Sequence, residues 1–163
     1  MMNSAIEAVR LFINEGAIVT VQSLTNKREF KASGYSLDTF KIPVAILVDK
    51  HTASAAEIFT AALKDHHRAA VFGQKTFGKG VIQTLFDLDD SKTALCITTA
   101  TYIPPSNVSF NKIGIKPNFI VKEVKLDKNN NVKTIKDIIS LHNHVIQEAI
   151  SYLNLQNKQL AVH

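Results

Sequence analysis

The stretch "HTASAAEIF", residues 51–59, sets hydroxyls and a carboxylate where a β-like run gives way to a helical one. Ser54 and Glu57 stand three apart ahead of an apolar segment. That is the spacing of a capping box, in which each side chain satisfies a free backbone N–H. A serine in the same place is also a nucleophile if a neighbouring base takes its proton. Both readings of Ser54 stand until a base is identified.

The six histidines supply no constellation. His51 lies in the same turn as Ser54 and is expected to face solvent. His66 and His67 end a helix, where a cation suits the negative end of the dipole. His142 and His144 are two apart and cannot share a helix face. His144 and Glu148, four apart, can share one, yet two ligands do not make a metal site. Cys96 is the one cysteine, so no internal disulfide forms, and its apolar surroundings in "TALCITTATY" read as those of a buried structural thiol.

Lysine is the other base to weigh. In "GQKTFGKG", residues 73–80, Gly73, Gly78 and Lys79 match the start of a phosphate-cradling loop. Position 80 is Gly, so the magnesium-holding hydroxyl is missing, and the β-like "VIQTLFDL" follows where a helix N-terminus is needed. That reading is rejected. Lys79 between two glycines is then either a solvated side chain in a mobile loop or a lysine held in a tight turn and aimed inward. Only a neutral amine acts as a base, and a lysine with a pKa near 10.4 is neutral about once in 2,500 molecules at pH 7. Desolvation is the means of raising that fraction, and a lowering of about three units costs roughly 4 kcal/mol.

The elements that must position these groups are legible as a mixed α/β pattern. The chain has 163 residues, 45% apolar and 20% charged, enough for one soluble domain with a real core. "MMNSAIEAVRLFINEG" reads as an amphipathic helix with Ile6, Val9, Ile13 and Phe12 on one face, and as a poor signal peptide. "AIVTVQSL" and "IPVAILV" read as strands, the second apolar enough to be buried on both faces. "SAAEIFTAALKDHH" reads as a helix, "RAAVFG" as a strand, with further strands near 81–88 and 94–102. A turn at "IPPSN", a short run "FIVKEV", a polar loop "LDKNNNVK" and a closing helix "TIKDIISLHNHVIQEAISYLNL" complete the chain. No apolar run reaches the roughly 18 residues of a membrane span. The net charge of +5 is spread over scattered lysines without aromatic interleaving, which argues against nucleic acid as a partner.

Together these segments resemble a known family. "LVDKHTASAAEIFTAALKDHHRAAVFGQKTFGKGVIQTLFDL" is similar to the catalytic core of the carboxyl-terminal processing peptidases, also called tail-specific proteases. These are serine peptidases with a Ser–Lys dyad and a supporting glutamine. "TTATYIPPSN" and "GIKPNFIV" resemble the family's later strand, turn and closing motif. The resemblance covers about residues 3–124 and leaves a C-terminal loop and helix, 125–163, outside it. It implies Ser54 as nucleophile, Lys79, 25 residues later, as base, and Gln83, four further on, as the residue that orients the lysine. It also implies the backbone N–H of Ala55 as an oxyanion donor.

The implied fold is the family's α/β protease domain, a mixed sheet flanked by helices. The implied function is endopeptidase cleavage in the C-terminal regions of protein or peptide substrates, with no cofactor. The family's second oxyanion donor, on a Gly-Gly segment ahead of the first helix, has no counterpart in "MMNSAIEAV", nor have its PDZ domain and signal sequence. The expectation is therefore a C-terminal portion of such a peptidase, weak or inactive alone, that exposes apolar surface and self-associates. The rival expectation is a non-catalytic fragment or binding subunit that keeps the fold and needs another chain. Compartment stays open, although full-length relatives are mostly extracytoplasmic. Asn107 and Asn118 stand where relatives usually have Gly and Asp. Asn tolerates the left-handed conformation of a turn glycine, whereas the second change has no explanation at this level.

Overall fold

A computed structural model describes residues 2–32, 34, 41–88, 93–121 and 135–160, with the side chains of the last helix described from residue 144. Helix α1 (Met2–Arg10) buries Ala5, Ile6 and Val9, which recur at helical spacing. Ile13, just past its end, is buried as well, so the expected apolar face is the one that packs. Phe12 is partly buried and meets Phe59 edge-on, with ring centroids 5.9 Å apart.

The chain then enters strands β1 (Ala17–Ser23) and β2 (Lys27–Lys31) through a hairpin. Nothing in "KREFK" alone announces a strand. The hairpin forms because the Ser23 hydroxyl accepts the N–H groups of Thr25 and Asn26 and closes the turn. Its charged residues suit a sheet edge, where they discourage pairing with other chains.

Strand β3 (Ala45–Val48), helix α2 (Ala55–Asp65) and strand β4 (Ala70–Gly73) form a βαβ unit, with β3 and β4 parallel and in register from Ala45 opposite Ala70 to Val48 opposite Gly73. Burial of β3 on both faces is not realised. Ile46 packs partly buried against the core and Val48 beside it is buried, but Leu47 points to the opposite face and is 47% exposed, so β3, at the edge of its sheet among the described residues, is covered mainly on one side. Helix α2 ends at His66, as its two histidines suggest. The His66 ring Nε2 lies 2.7 Å from the Ala17 carbonyl and ties the helix C-terminus to β1.

Strands β5 (Val81–Asp87), β6 (Ala94–Ile103) and β7 (Phe119–Ile120) follow, and α3 (Ile135–Leu160) closes the chain. The strands divide into an antiparallel sheet, β2-β1-β6-β5, and a parallel one, β3-β4-β7, which makes the architecture α/β as read. Only Phe119–Ile120 of "FIVKEV" pairs as strand, while 122–124 and the loop 126–133 lie outside the described residues. The core sits between α1, α2 and the antiparallel sheet, where Ile18, Ile58, Leu63 and Val9 are sealed from solvent and Tyr102 and Phe110 close the far side.

The β5–β6 hairpin projects from this core. Leu85, Phe86, Leu95 and Ile97 are exposed on its two faces. Cys96, opposite Leu85, is exposed too, which corrects the expectation of a buried thiol. Its apolar neighbours in sequence are real, but nothing among the described residues covers them.

Leu63 on α2 is fully buried within the core cluster. Leu63→Ala is expected to lower stability by about 2–5 kcal/mol, seen as a lower midpoint in urea with an unchanged slope. A shift within about 0.5 kcal/mol would place the core elsewhere.

Candidate active site

Between β3 and α2 the chain makes a tight turn organised by Asp49. Its Oδ1 accepts the N–H groups of His51 (3.0 Å) and Thr52 (2.9 Å) and the Thr52 hydroxyl (3.0 Å). The Thr52 oxygen in turn accepts the Asp49 N–H. Partial burial pushes the Asp49 carboxyl up, but the Thr52 hydroxyl bond, the two N–H bonds and the nearby His51 outweigh it, and the pKa falls below its ordinary 3.8. His51 itself faces solvent, as expected.

Ser54 follows at the N-cap of α2 with φ 57° and ψ −116°. A non-glycine residue seldom adopts that conformation, and such strain is retained where surrounding contacts enforce it. The Ser54 carbonyl accepts the N–H groups of Glu57 and Ile58 and so starts the helix. The hydroxyl makes no cap hydrogen bond. Ala55 presents a first-turn N–H for which the described residues supply no acceptor, as the first turn of any helix allows.

Glu57 does more than cap. It is completely buried, and its Oε2 accepts the Ser54 N–H at 2.9 Å and the Lys79 N–H at 2.8 Å. Its Oε1 accepts the Thr76 hydroxyl at 2.6 Å and the Gly78 N–H at 2.7 Å. Because one oxygen holds both, the backbone nitrogens of Ser54 and Lys79 are separated by no more than the sum of the two bonds, 2.9 plus 2.8 or about 5.7 Å.

The other side of the lysine turn rests on residues 110–115. Gly78 has φ 92°, and a Cβ there would lie 2.7 Å from the Gly114 nitrogen. At Gly80 a Cβ would lie 2.8 Å from that of Asn111. Both glycines flanking Lys79 therefore answer to close packing, and Gly78 to its left-handed conformation as well. Lys112 N–H donates to the Gly78 carbonyl at 2.8 Å, and Ile115 N–H to the Thr76 hydroxyl at 2.7 Å.

The structure thus brings the main chains of Ser54 and Lys79 together. Their side chains are another matter. Lys79 is exposed, and no hydrogen bond joins its amine to the Ser54 hydroxyl among the described residues. The inward, desolvated lysine considered from the two glycines is therefore absent from this conformation. Gln83 is exposed on β5 opposite Thr98, just after a break in register at Ile82. Strand rather than helix follows the glycines, which agrees with the rejection of a phosphate loop.

Two smaller points resolve. Asn107 has φ 59°, the left-handed conformation that makes it an adequate stand-in for glycine. The Oδ1 of Asn118 accepts the Val71 N–H at 2.9 Å, a bond a carboxylate oxygen in its place would also accept, so the change from Asp keeps the acceptor. Residues alone passed over Thr76 and gave Glu57 only its capping role. A carboxylate three residues after the serine was the signal, but its distant donors were out of view.

Three comparisons bear on this arrangement. The profile of Peptidase family S41 matches residues 1–121. The C-terminal processing peptidase of the Tetradesmus obliquus chloroplast is 37% identical over 125 residues, 76% of this chain and 25% of that protein. The carboxyl-terminal-processing protease of Synechocystis sp. is 38% identical over 124 residues, 76% of this chain and 28% of the relative. The chain therefore spans little more than a quarter of the length of these curated relatives. Among solved structures, that of a photosystem II D1 C-terminal processing protease superposes with a TM-score of 0.68 at 35% identity, over 75% of this chain and 31% of the other.

The Asp49 turn yields a test of the site's scaffold. A carboxyl whose folded pKa is depressed adds stability above its unfolded pKa and loses it as pH falls through the folded value. The stability margin of the wild type over Asp49→Asn should therefore be full above about pH 5 and shrink steadily below the ordinary carboxylate pKa. Urea midpoints of both proteins between pH 3 and 6 check this. A margin that grows on acidification would contradict it.

Proposed function

The chain belongs to peptidase family S41, and from that premise we propose that it is part of the catalytic core of a serine endopeptidase that cuts in the C-terminal regions of protein substrates. Ser54 is the nucleophile, Lys79 the general base and acid, Gln83 the residue that orients the lysine, and Ala55 N–H an oxyanion donor. The observation that carries the reading is the shared oxygen of Glu57, which holds the serine turn and the lysine turn against each other.

The steps follow from these groups. Ser54 Oγ attacks the scissile carbonyl carbon while its proton passes to the neutral amine of Lys79. Ala55 N–H stabilises the resulting oxyanion. Collapse breaks the C–N bond, Lys79 returns the proton to the departing amine, and an ester remains on Ser54. Water, losing its proton to the same lysine, hydrolyses that ester and regenerates the serine. Gln83 can hold the amine through its neutral side-chain oxygen, which adds no charge beside it. None of these steps calls on a cofactor.

A second reading is favoured by the exposed Lys79 and by the apolar faces of the β5–β6 hairpin. On it, this core needs a further chain or segment before serine and lysine engage, and it binds or self-associates through exposed apolar surface.

Cleavage of an unstructured peptide with an apolar C-terminal tail, followed by mass spectrometry, separates the two readings. Lys79→Ala and Ser54→Ala should each reduce cleavage by at least about 1,000-fold while leaving circular dichroism and melting temperature unchanged. Cleavage that survives Lys79→Ala rules out the dyad. Absence of cleavage in the unmodified chain supports the second reading.

A further inference from the structure

We infer that Glu57 and Thr76 are positioning residues of this site: one buried carboxylate, steadied by one hydroxyl, sets the separation of the nucleophile turn from the lysine turn. The inference rests on the peptidase reading of Ser54 and Lys79. A helix cap requires only the bond to the Ser54 N–H. The three further donors, from Thr76, Gly78 and Lys79, lie 19 to 22 residues later in the chain and have no part in starting α2. The carboxylate is fully buried, and neither ion pair found among the described residues involves it, so its charge is met by these dipoles.

Thr76 makes the arrangement directional. Its hydroxyl donates to Glu57 Oε1 and accepts from Ile115 N–H, while its own N–H donates to the Ile115 carbonyl at 3.2 Å. The segment 110–115 is thereby tied to the same carboxylate that holds Ser54. Neither side chain touches a reacting atom in this arrangement. Each acts through the backbone it fixes.

The test uses the full 163-residue chain and four variants: Glu57→Gln, Glu57→Asp, Thr76→Val and Thr76→Ser. Glutamine keeps the shape of Glu57, but its amide cannot accept at one of the two oxygens, and aspartate is too short to span the two turns. Valine keeps the shape of Thr76 without the hydroxyl, whereas serine keeps the hydroxyl. Amide hydrogen exchange should rise by about tenfold or more at Gly78 and Lys79 in Glu57→Gln, Glu57→Asp and Thr76→Val, with the interior of α2 unchanged. Thr76→Ser should restore wild-type exchange. In the cleavage assay, kcat should fall by about 100-fold in the first three variants with KM within about twofold, and recover in Thr76→Ser.

Equal effects of valine and serine at position 76, or a fall in kcat matched by loss of folded protein, would overturn the inference. The exchange measurement needs no activity and so fails separately from the peptidase reading. Unchanged exchange at Gly78 and Lys79 in both Glu57→Gln and Thr76→Val overturns the positioning role even in a chain that cleaves peptide. Conversely, loss of the Ser54 and Lys79 dependence of cleavage overturns the peptidase reading whatever the exchange shows.

Discussion

A carboxylate sealed from solvent is costly unless its lone pairs are filled, and filling those of Glu57 organises this protein. Four donors converge on it, from the serine turn, from Thr76 and from the two residues that begin the Gly-Lys-Gly turn. Net contributions of hydrogen bonds to charged groups run to about 1.5–3 kcal/mol each, so leaving one unmade is felt across the assembly. The carboxylate also stands in the first turn of α2, where the helix dipole favours negative charge. Three stretches distant in sequence, around residues 54, 78 and 115, are joined by that single group and the threonine beside it.

Other oddities of the chain follow from this junction. Ser54 is held in a strained conformation by Asp49 on one side, which shapes the preceding turn, and by Glu57 on the other. Gly78 and Gly80 have no room for a side chain because the lysine turn is pressed between the Glu57 carboxylate and residues 110–114. Lys79 itself points outward, so what is preorganised here is the backbone of the site. On the peptidase reading proposed above, a substrate or further chain lying over the turn would strip water from the amine, the condition that a lysine base requires.

Much of the architecture was open to a reading of residues. The periodicity of α1 and α2 and the β-branched run of β1 follow local rules, because each buries a face spelled out in consecutive residues. Strand β2 did not, since "KREFK" owes its conformation to a serine-closed hairpin and a neighbour strand. Cys96 and Leu47 went astray for one reason: apolar composition shows what can be buried, and only the tertiary arrangement shows what is. The roles of Ser54, Lys79 and Gln83 rest on a resemblance carried by spacing. The wider role of Glu57 lay beyond it, because a capping box already explained that residue locally. Asn118 gained its account only when Val71 was seen beside it, 47 residues away in the chain.

The most direct measurement of the central idea is covalent labelling of Ser54. The protein would be incubated with a peptidyl activated ester at neutral pH, and the acylated residue identified by mass spectrometry after digestion. A single acyl group on Ser54, absent from other serines and lost in Lys79→Ala, is the result expected if Lys79 serves as the base of the proposed dyad. Acylation spread over surface serines and lysines, or labelling of Ser54 that persists without Lys79, would contradict it.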